Sequence, residues 1–304
     1  MPGRDLGPVG FVGLGKMGAP MLRHLLASGL AVTTFDSDRE RLASLASEWP
    51  QNLRAAASLA ELADCDTVIT MLPNSRVTNQ VLADGEDALI HVLHPDALVI
   101  DMGSSDPVET TRLAALFEAA GLRLLDAPVS GSVAKAESGQ LSIMVGGDSD
   151  LLERARPLLE VMGSVILPTG RVGSAHAMKA LNNYVYAAGL LASCEALLAV
   201  RAMGLDAETF VDILNASSGR NVATETKLRQ FILSDSFSGG FSLPLQAKDL
   251  ATAKRLGDDA GLDMPQLSRV ASLWSDAVAV LPAEADNTAI YRYLEALQTS
   301  SESV

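Results

Sequence analysis

The sequence predicts an α/β protein: a doubly wound, mostly parallel sheet in the N-terminal half, followed by an all-helical C-terminal domain. Three observations predict it. Up to about residue 168, short apolar runs alternate with stretches rich in Ala, Leu, Glu and Arg, which is the pattern of βαβ units. Beyond that point the strand signal stops and apolar residues recur at helical spacing. A length of 304 residues also suits two domains, here 1–168 and 169–304.

The expected strands are Val9–Gly13, Ala31–Asp36, Thr67–Leu72, Ala97–Met102, Arg123–Ala127, Leu141–Gly146 and Val165–Pro168. Their continuous Val/Ile/Leu character fits strands buried on both faces. Helices are expected at Pro20–Ser28, Arg39–Ser47 and Pro107–Ala120. From about Gly173 to Met203 the chain has no proline, so one helix about 45 Å long is expected there. Further helical patterns cover Asp206–Ala216, Thr224–Ser234, Leu245–Ala260, Pro265–Ala279 and Thr288–Gln298, and a polar tail, Ser300–Val304, is expected to fray.

Composition excludes several classes. Hydrophobic residues are 48% and charged residues 20%, enough apolar matter for a sizeable core. A net charge of −14 argues against nucleic acid or an anionic membrane as partner, because phosphates are repelled. It leaves room for a small anionic ligand in a local pocket. Cys65 and Cys194 make no disulfide framework, and no CxxC spacing suggests zinc. The leader MPGRDLGP is short for a signal peptide, and no apolar run is read as long enough to span a bilayer. The expected setting is soluble, reducing and cytoplasmic.

Gly13-Leu14-Gly15-Lys16-Met17-Gly18 is a G-x-G-x-x-G turn that leaves the first strand and opens a helix. Gly13 permits the tight turn, Gly15 admits a pyrophosphate to the backbone, and Gly18 allows close helix–strand packing. The helix N-terminus supplies N–H groups and a positive dipole end. Asp36 lies eighteen residues past Gly18, at the end of the next strand. A carboxylate there suits the ribose hydroxyls and repels a 2′-phosphate, so NAD is expected over NADP. Two facts qualify that: Arg39 and Arg41 stand nearby, and Asp36 has a second reading as a cap of the following helix.

A reacting centre is sought in two segments. Asp126-Ala127-Pro128-Val129-Ser130-Gly131-Ser132 sits at the C-terminal end of a parallel strand, where ligands of open sheets bind. Its hydroxyls and N–H groups suit a carboxylate, although an ordinary turn has the same composition. In the long helix Lys179 and Asn183 are four residues apart and share a face. A desolvated lysine beside a positive nicotinamide ring can move a proton while hydride moves at the ring. Asn183 can hold the substrate oxygen or the lysine.

These pieces together resemble the β-hydroxyacid dehydrogenases, the family of 3-hydroxyisobutyrate dehydrogenase and tartronate semialdehyde reductase. The matching runs are Val9–Gly18, Thr70-Met71-Leu72-Pro73, Asp126–Gly131, Lys179 with Asn182-Asn183, Ser217-Ser218-Gly219-Arg220 and Ala247-Lys248-Asp249-Leu250. The resemblance implies a Rossmann-type N-terminal domain, a helical domain for substrate and oligomerisation, and an active site between them. It implies that Lys179 is the catalytic lysine and that Ser130, Gly131 and Asn183 bind substrate. Lys248 then lies near both nicotinamide and substrate, and Leu72, Pro73, Val77 and Ser104 contact cofactor. A homodimer or homotetramer is implied as well.

The chain departs from the family pattern in two places. Ser132 replaces a common second glycine and offers a further hydroxyl to substrate. Asn221 and Val222 stand where an aromatic residue is often found, while Arg220 can pair with an anionic group or be a surface arginine. The expected reaction is NAD-dependent oxidation of a short β-hydroxy acid such as 3-hydroxyisobutyrate to its semialdehyde, or the reverse. Alternative substrates are tartronate semialdehyde, threonate, serine, glycerate or a sulfolactaldehyde. Asn182 argues against the longer 6-phosphogluconate type, and Lys179 against imine reductases. A dinucleotide-binding module without turnover is the non-enzymatic alternative. No metal is expected: His91, His94 and Asp96 read as a surface turn, His176 as packing, and the cysteines as packed thiols.

Overall fold

The computed structural model describes residues 7–301. Most of the leader and residues 302–304 of the polar tail therefore lie outside the described residues. Among the described residues nine strands form a single sheet: β1 (Val9–Val12), β2 (Val32–Phe35), β3 (Leu53–Ala55), β4 (Thr67–Thr70), β5 (Leu98–Asp101), β6 (Arg123–Asp126), β7 (Val129–Ser130), β8 (Leu141–Gly146) and β9 (Gly163–Gly170). The order is β3-β2-β1-β4-β5-β6-β8-β7, with β9 paired to β8. Strands β3 to β6 run parallel, β8 runs antiparallel to β6 and β7, and β9 is parallel to β8.

Every residue of β1, β4 and β5 is buried, which explains why the sequence shows continuous apolar runs instead of alternation. The pleat divides these residues between two cores. Val9, Phe11, Ile69, Leu98 and Ile100 enter one, and Val12, Val68 and Val99 the other. Chain order reverses between β1 and β4, so the crevice at the C-terminal end of β1 is the topological switch point.

The helices of this unit are α1 (Gly18–Ala27), α2 (Arg39–Glu48), α3 (Ser75–Asn79), α4 (Leu89–Val92), α5 (Pro107–Ala119), α6 (Val133–Glu137) and α7 (Ser149–Met162). The long α8 covers Ser174–Ala202 and is followed by α9 (Ala207–Ala216), a π-type stretch (Thr224–Leu233), α10 (Leu243–Asp259), α11 (Pro265–Val280) and α12 (Ile290–Ser301). Two compact units result, dividing at Lys179/Ala180. That is later than the division at 168/169 suggested by the end of the strand signal. The first turns of α8 belong with the sheet, because Asp126, Thr110 and Val129 hydrogen-bond to Gly173, His176 and Lys179.

By length and composition α8 is apolar enough to cross a membrane, with a mean hydropathy of 1.5 over its most apolar window. This corrects the reading that no segment qualifies: polar residues such as Lys179, Asn182 and Asn183 break the apolar run without breaking the helix. Its apolar side builds the core of the second unit, where Ala187, Leu190, Cys194 and Leu197 are buried with Leu267, Trp274 and Tyr291.

Leu190 is wholly buried, so L190A should cost about 2–5 kcal/mol of stability. Each unit holds one of the two tryptophans, Trp49 or Trp274. Urea unfolding followed by Trp274 fluorescence in a Trp49→Phe background measures the loss; an unchanged midpoint contradicts this packing.

Candidate active site

The glycine turn has a separate physical reason at each of its glycines. Gly13 has φ +100° and donates its N–H to Phe35 O at 3.1 Å, bending the chain over the end of β2. A Cβ on Gly18 would collide with Gly13 O, so that glycine is required by the protein's own packing. A Cβ on Gly15 would meet no heavy atom within 4 Å. Nothing inside the protein demands glycine there, whereas a pyrophosphate laid on the backbone does. No side chain caps α1 at Met17, so its start suits an anion. The turn and Lys16 also line a groove with Arg23, Arg41 and Glu137. These residues fit a dinucleotide.

Asp36 is 8% exposed, and its carboxylate accepts from Leu14 N and, at 2.7 Å, from Asp38 N. It braces the turn from β2. The cap reading is corrected, since Asp38 caps α2 by accepting from Arg41 N at 3.0 Å. Arg39 donates to Ala56 O and Ala57 O and lies over the Phe35 ring, while Arg41 pairs with Asp38 at 2.9 Å.

Leu72-Pro73 and Gly103-Ser104 follow β4 and β5, and therefore emerge at the same sheet edge as the glycine turn. A Cβ on Gly103 would press on Leu72 O, so the two loops touch. Val77 lies in the first turn of α3, donating its N–H to Asn74 Oδ1 at 3.1 Å. Asp101 holds the second loop by accepting from Gly103 N at 3.1 Å and Ser105 Oγ at 2.8 Å.

Lys179 is half-buried, and its Nζ donates to Val129 O at 3.0 Å. The ammonium is therefore held beside the segment that continues into Ser130 and Gly131. Ser132, the departure from the family pattern, caps α6: its Oγ accepts from Lys135 N at 3.4 Å. His176 is buried, with Nδ1 2.9 Å from Thr110 Oγ1.

In the second unit Asn183 Nδ2 donates to Asp249 Oδ2 at 2.6 Å, and Lys248 Nζ pairs with Asp249 Oδ1 at 3.2 Å. Asp249, 4% exposed at its side chain, thus orients both polar groups that the sequence reading singled out. In the sequence, the one mark that sets Asp249 apart is its place directly after Lys248. Arg220 is exposed and paired with Glu225. Asn221 accepts from Ala223 N and Thr224 N, which turns the chain into the π-type stretch.

His94 pairs with Asp66 at 3.0 Å, and Arg123 with Asp96 at 3.3 Å. Among the described residues no cluster of three or more His, Cys, Asp or Glu side chains could hold a metal. Burial pushes the Cys65 thiol up to about 11, and the Cys194 thiol higher still, so neither is a ready thiolate.

A glycine turn at the switch point of a doubly wound sheet marks a dinucleotide-binding protein. Residues 8–171 match the family model described as the NAD binding domain of 6-phosphogluconate dehydrogenase, and residues 173–294 that of the NAD-binding region of NADP-dependent 3-hydroxyisobutyrate dehydrogenase. The chain is 32% identical to 2-(hydroxymethyl)glutarate dehydrogenase of Eubacterium barkeri, over 94% of each chain. It is 36% identical to mitochondrial 3-hydroxyisobutyrate dehydrogenase of Mus musculus, over 81% of this chain and 75% of the relative. The solved structure of Mycobacterium tuberculosis 3-hydroxyisobutyrate dehydrogenase with L-serine superposes with a TM-score of 0.86 at 32% identity, covering 95% of this chain and 99% of that one.

The chain belongs to the β-hydroxyacid dehydrogenase family, of the 3-hydroxyisobutyrate dehydrogenase type. It is an NAD(P)-dependent dehydrogenase acting on CH–OH groups, which removes the ground for a module without turnover.

Gly15→Ala should keep the melting temperature of the parent, since the added methyl meets open space, yet raise the Kd for NADH by about tenfold or more. Fluorescence titration of NADH reads the change; equal affinity contradicts the pyrophosphate placement.

Proposed function

We propose that the protein interconverts a short β-hydroxy acid of the 3-hydroxyisobutyrate kind and its semialdehyde, with NAD as the preferred cofactor and Lys179 as general acid and base. The observation that carries this reading is the Lys179 Nζ–Val129 O hydrogen bond of 3.0 Å, which keeps an amine beside the Ser130-Gly131 turn. In this reading residues 1–168 serve dinucleotide binding, and residues 169–304 serve substrate binding and assembly into a homodimer or homotetramer. A cytoplasmic setting belongs to the same reading.

A nicotinamide held at this site would supply or take the hydride. In oxidation the neutral Lys179 amine accepts the hydroxyl proton of the substrate; in reduction the ammonium returns a proton to the carbonyl oxygen. Ser130, Gly131, Ser132, Asn183, Lys248 and Arg220 are the substrate-binding groups. Of these, the Ser132 hydroxyl already accepts a capping hydrogen bond, and Arg220 already has Glu225 as partner. Either must share or exchange that partner to bind substrate. Gly13, Leu14, Gly15, Lys16, Met17 and Gly18 carry the pyrophosphate, and Leu72, Pro73, Val77, Ser104 and Lys248 complete the cofactor contacts.

Asp36 supports the NAD preference. Its carboxylate at the end of β2 opposes a 2′-phosphate, and Arg39 and Arg41 are engaged with Ala56, Ala57 and Asp38.

A panel of 3-hydroxyisobutyrate, serine, glycerate, threonate and a sulfonated analogue, assayed with NAD and NADP in parallel, tests the proposal. The highest kcat/KM is expected for 3-hydroxyisobutyrate with NAD. On that substrate Lys179→Ala should lower kcat by at least ~10²-fold while leaving the NADH Kd unchanged. Equal use of both cofactors removes the role of Asp36, and full turnover of K179A removes that of Lys179.

A further inference from the structure

Three buried groups in the first unit take no part in the chemistry proposed for Lys179. Asp126 ends β6 with no exposure, Asp101 ends β5 at 1%, and His176 lies between them at 1%. A buried carboxylate is costly unless its lone pairs are filled. Asp126 fills its own from another element: Oδ1 accepts from Gly173 N at 2.8 Å, and Oδ2 from His176 N at 3.0 Å. Those amides lie just before and within the first turn of α8, where N–H groups lack intrahelical partners and an anion meets the positive end of the helix. A strand residue thus caps a helix that begins far along the chain. A Cβ on Gly146 would collide with the Asp126 carboxylate, so β8 gives up a side chain to admit it.

Three residues beyond Asp126, Val129 O receives the Lys179 ammonium. The segment 126–129 therefore grips α8 twice, at its start and at Lys179. The imidazole of His176 extends the cluster. Its Nδ1 is 2.9 Å from Thr110 Oγ1 and 3.7 Å from Asp126 Oδ2. Its Nε2, buried without a hydrogen-bond partner, is 3.8 Å from Asp101 Oδ2. Asp101 in turn holds Thr70, Gly103 and Ser105.

We propose that the Asp126–His176–Asp101 cluster is a positioning device: Asp126 fixes the start of α8, and with it the height of Lys179 over the Ser130-Gly131 turn, while His176 and Asp101 key the Gly103–Ser105 loop to the same point. The inference rests on the reading of Lys179 as proton carrier. Displacing a reacting group by about 1 Å can cost about 10²-fold in rate, so the cluster acts through Lys179 without touching substrate.

The test compares Asp126→Asn, His176→Leu and Lys179→Ala in the full-length enzyme on its best substrate. Asp126→Asn keeps the shape but turns one acceptor into a donor facing an N–H. It should lower kcat by about 10²-fold, leave the NADH Kd unchanged, and displace the pH limb of kcat that Lys179→Ala abolishes. His176→Leu keeps the backbone bond to Asp126 and should give a smaller loss with the same displaced limb. It also decides the matter should Asp126→Asn not fold. A lower melting temperature with parental kcat and pH profile in the folded fraction means a merely structural cap, and overturns the proposal. Full turnover of Lys179→Ala overturns the proton-carrier reading and this proposal with it. Inactive Lys179→Ala beside a normal Asp126→Asn, or beside a normal His176→Leu where Asp126→Asn does not fold, overturns the positioning alone.

Discussion

Three aspartates at the C-terminal ends of parallel strands have been taken out of water, and each is satisfied by backbone N–H groups of a loop or a helix start. Asp36 receives Leu14 N in the glycine turn, Asp101 receives Gly103 N, and Asp126 receives Gly173 N and His176 N. Hydrogen bonds to a charged acceptor contribute about 1.5–3 kcal/mol each, and an unfilled buried carboxylate would cost more than that. The loops cannot drift without exposing that cost. The loops proposed to bind cofactor and substrate are thereby given the rigidity of the strands they leave, which is what a site that aligns two reactants needs.

The strands were legible because parallel strands buried on both faces must be continuously apolar, and the runs Val9–Gly13, Thr67–Leu72 and Ala97–Met102 each contain one of the fully buried strands β1, β4 and β5. The glycine turn was legible because sterics admit few residues there. Other elements carried too little signal. β3 and β7 are three and two residues long, too short for a period to show. α7 contains Pro157, a residue that ordinarily ends a helix, yet Leu152, Ala155, Leu158 and Leu159 still bury one face of it. The boundary moved to Lys179 because hydrogen bonds from β6 and α5, invisible to periodicity, tie the start of α8 to the sheet.

The site was legible where a motif names residue types and opaque where function lies in a pairing. Lys179, Asn183 and Lys248 stand out as polar groups in helical patterns. Asp249, which orients Asn183 and Lys248, and Asp126, which caps α8 from 47 residues away, look like any acidic residue until their partners are seen. Overall charge is similarly uninformative at this scale. A chain of net charge −14 still gathers Lys16, Arg23 and Arg41 around one helix start. Local geometry decides which anion is admitted.

The amine at position 179 is the group proposed to carry the proton. Chemical rescue addresses it most directly: Lys179→Ala assayed with small primary amines of graded basicity at saturating cofactor. Partial return of turnover, with a rate that follows amine basicity, is the result this account predicts. A variant that no amine revives, or one that needs none, contradicts it.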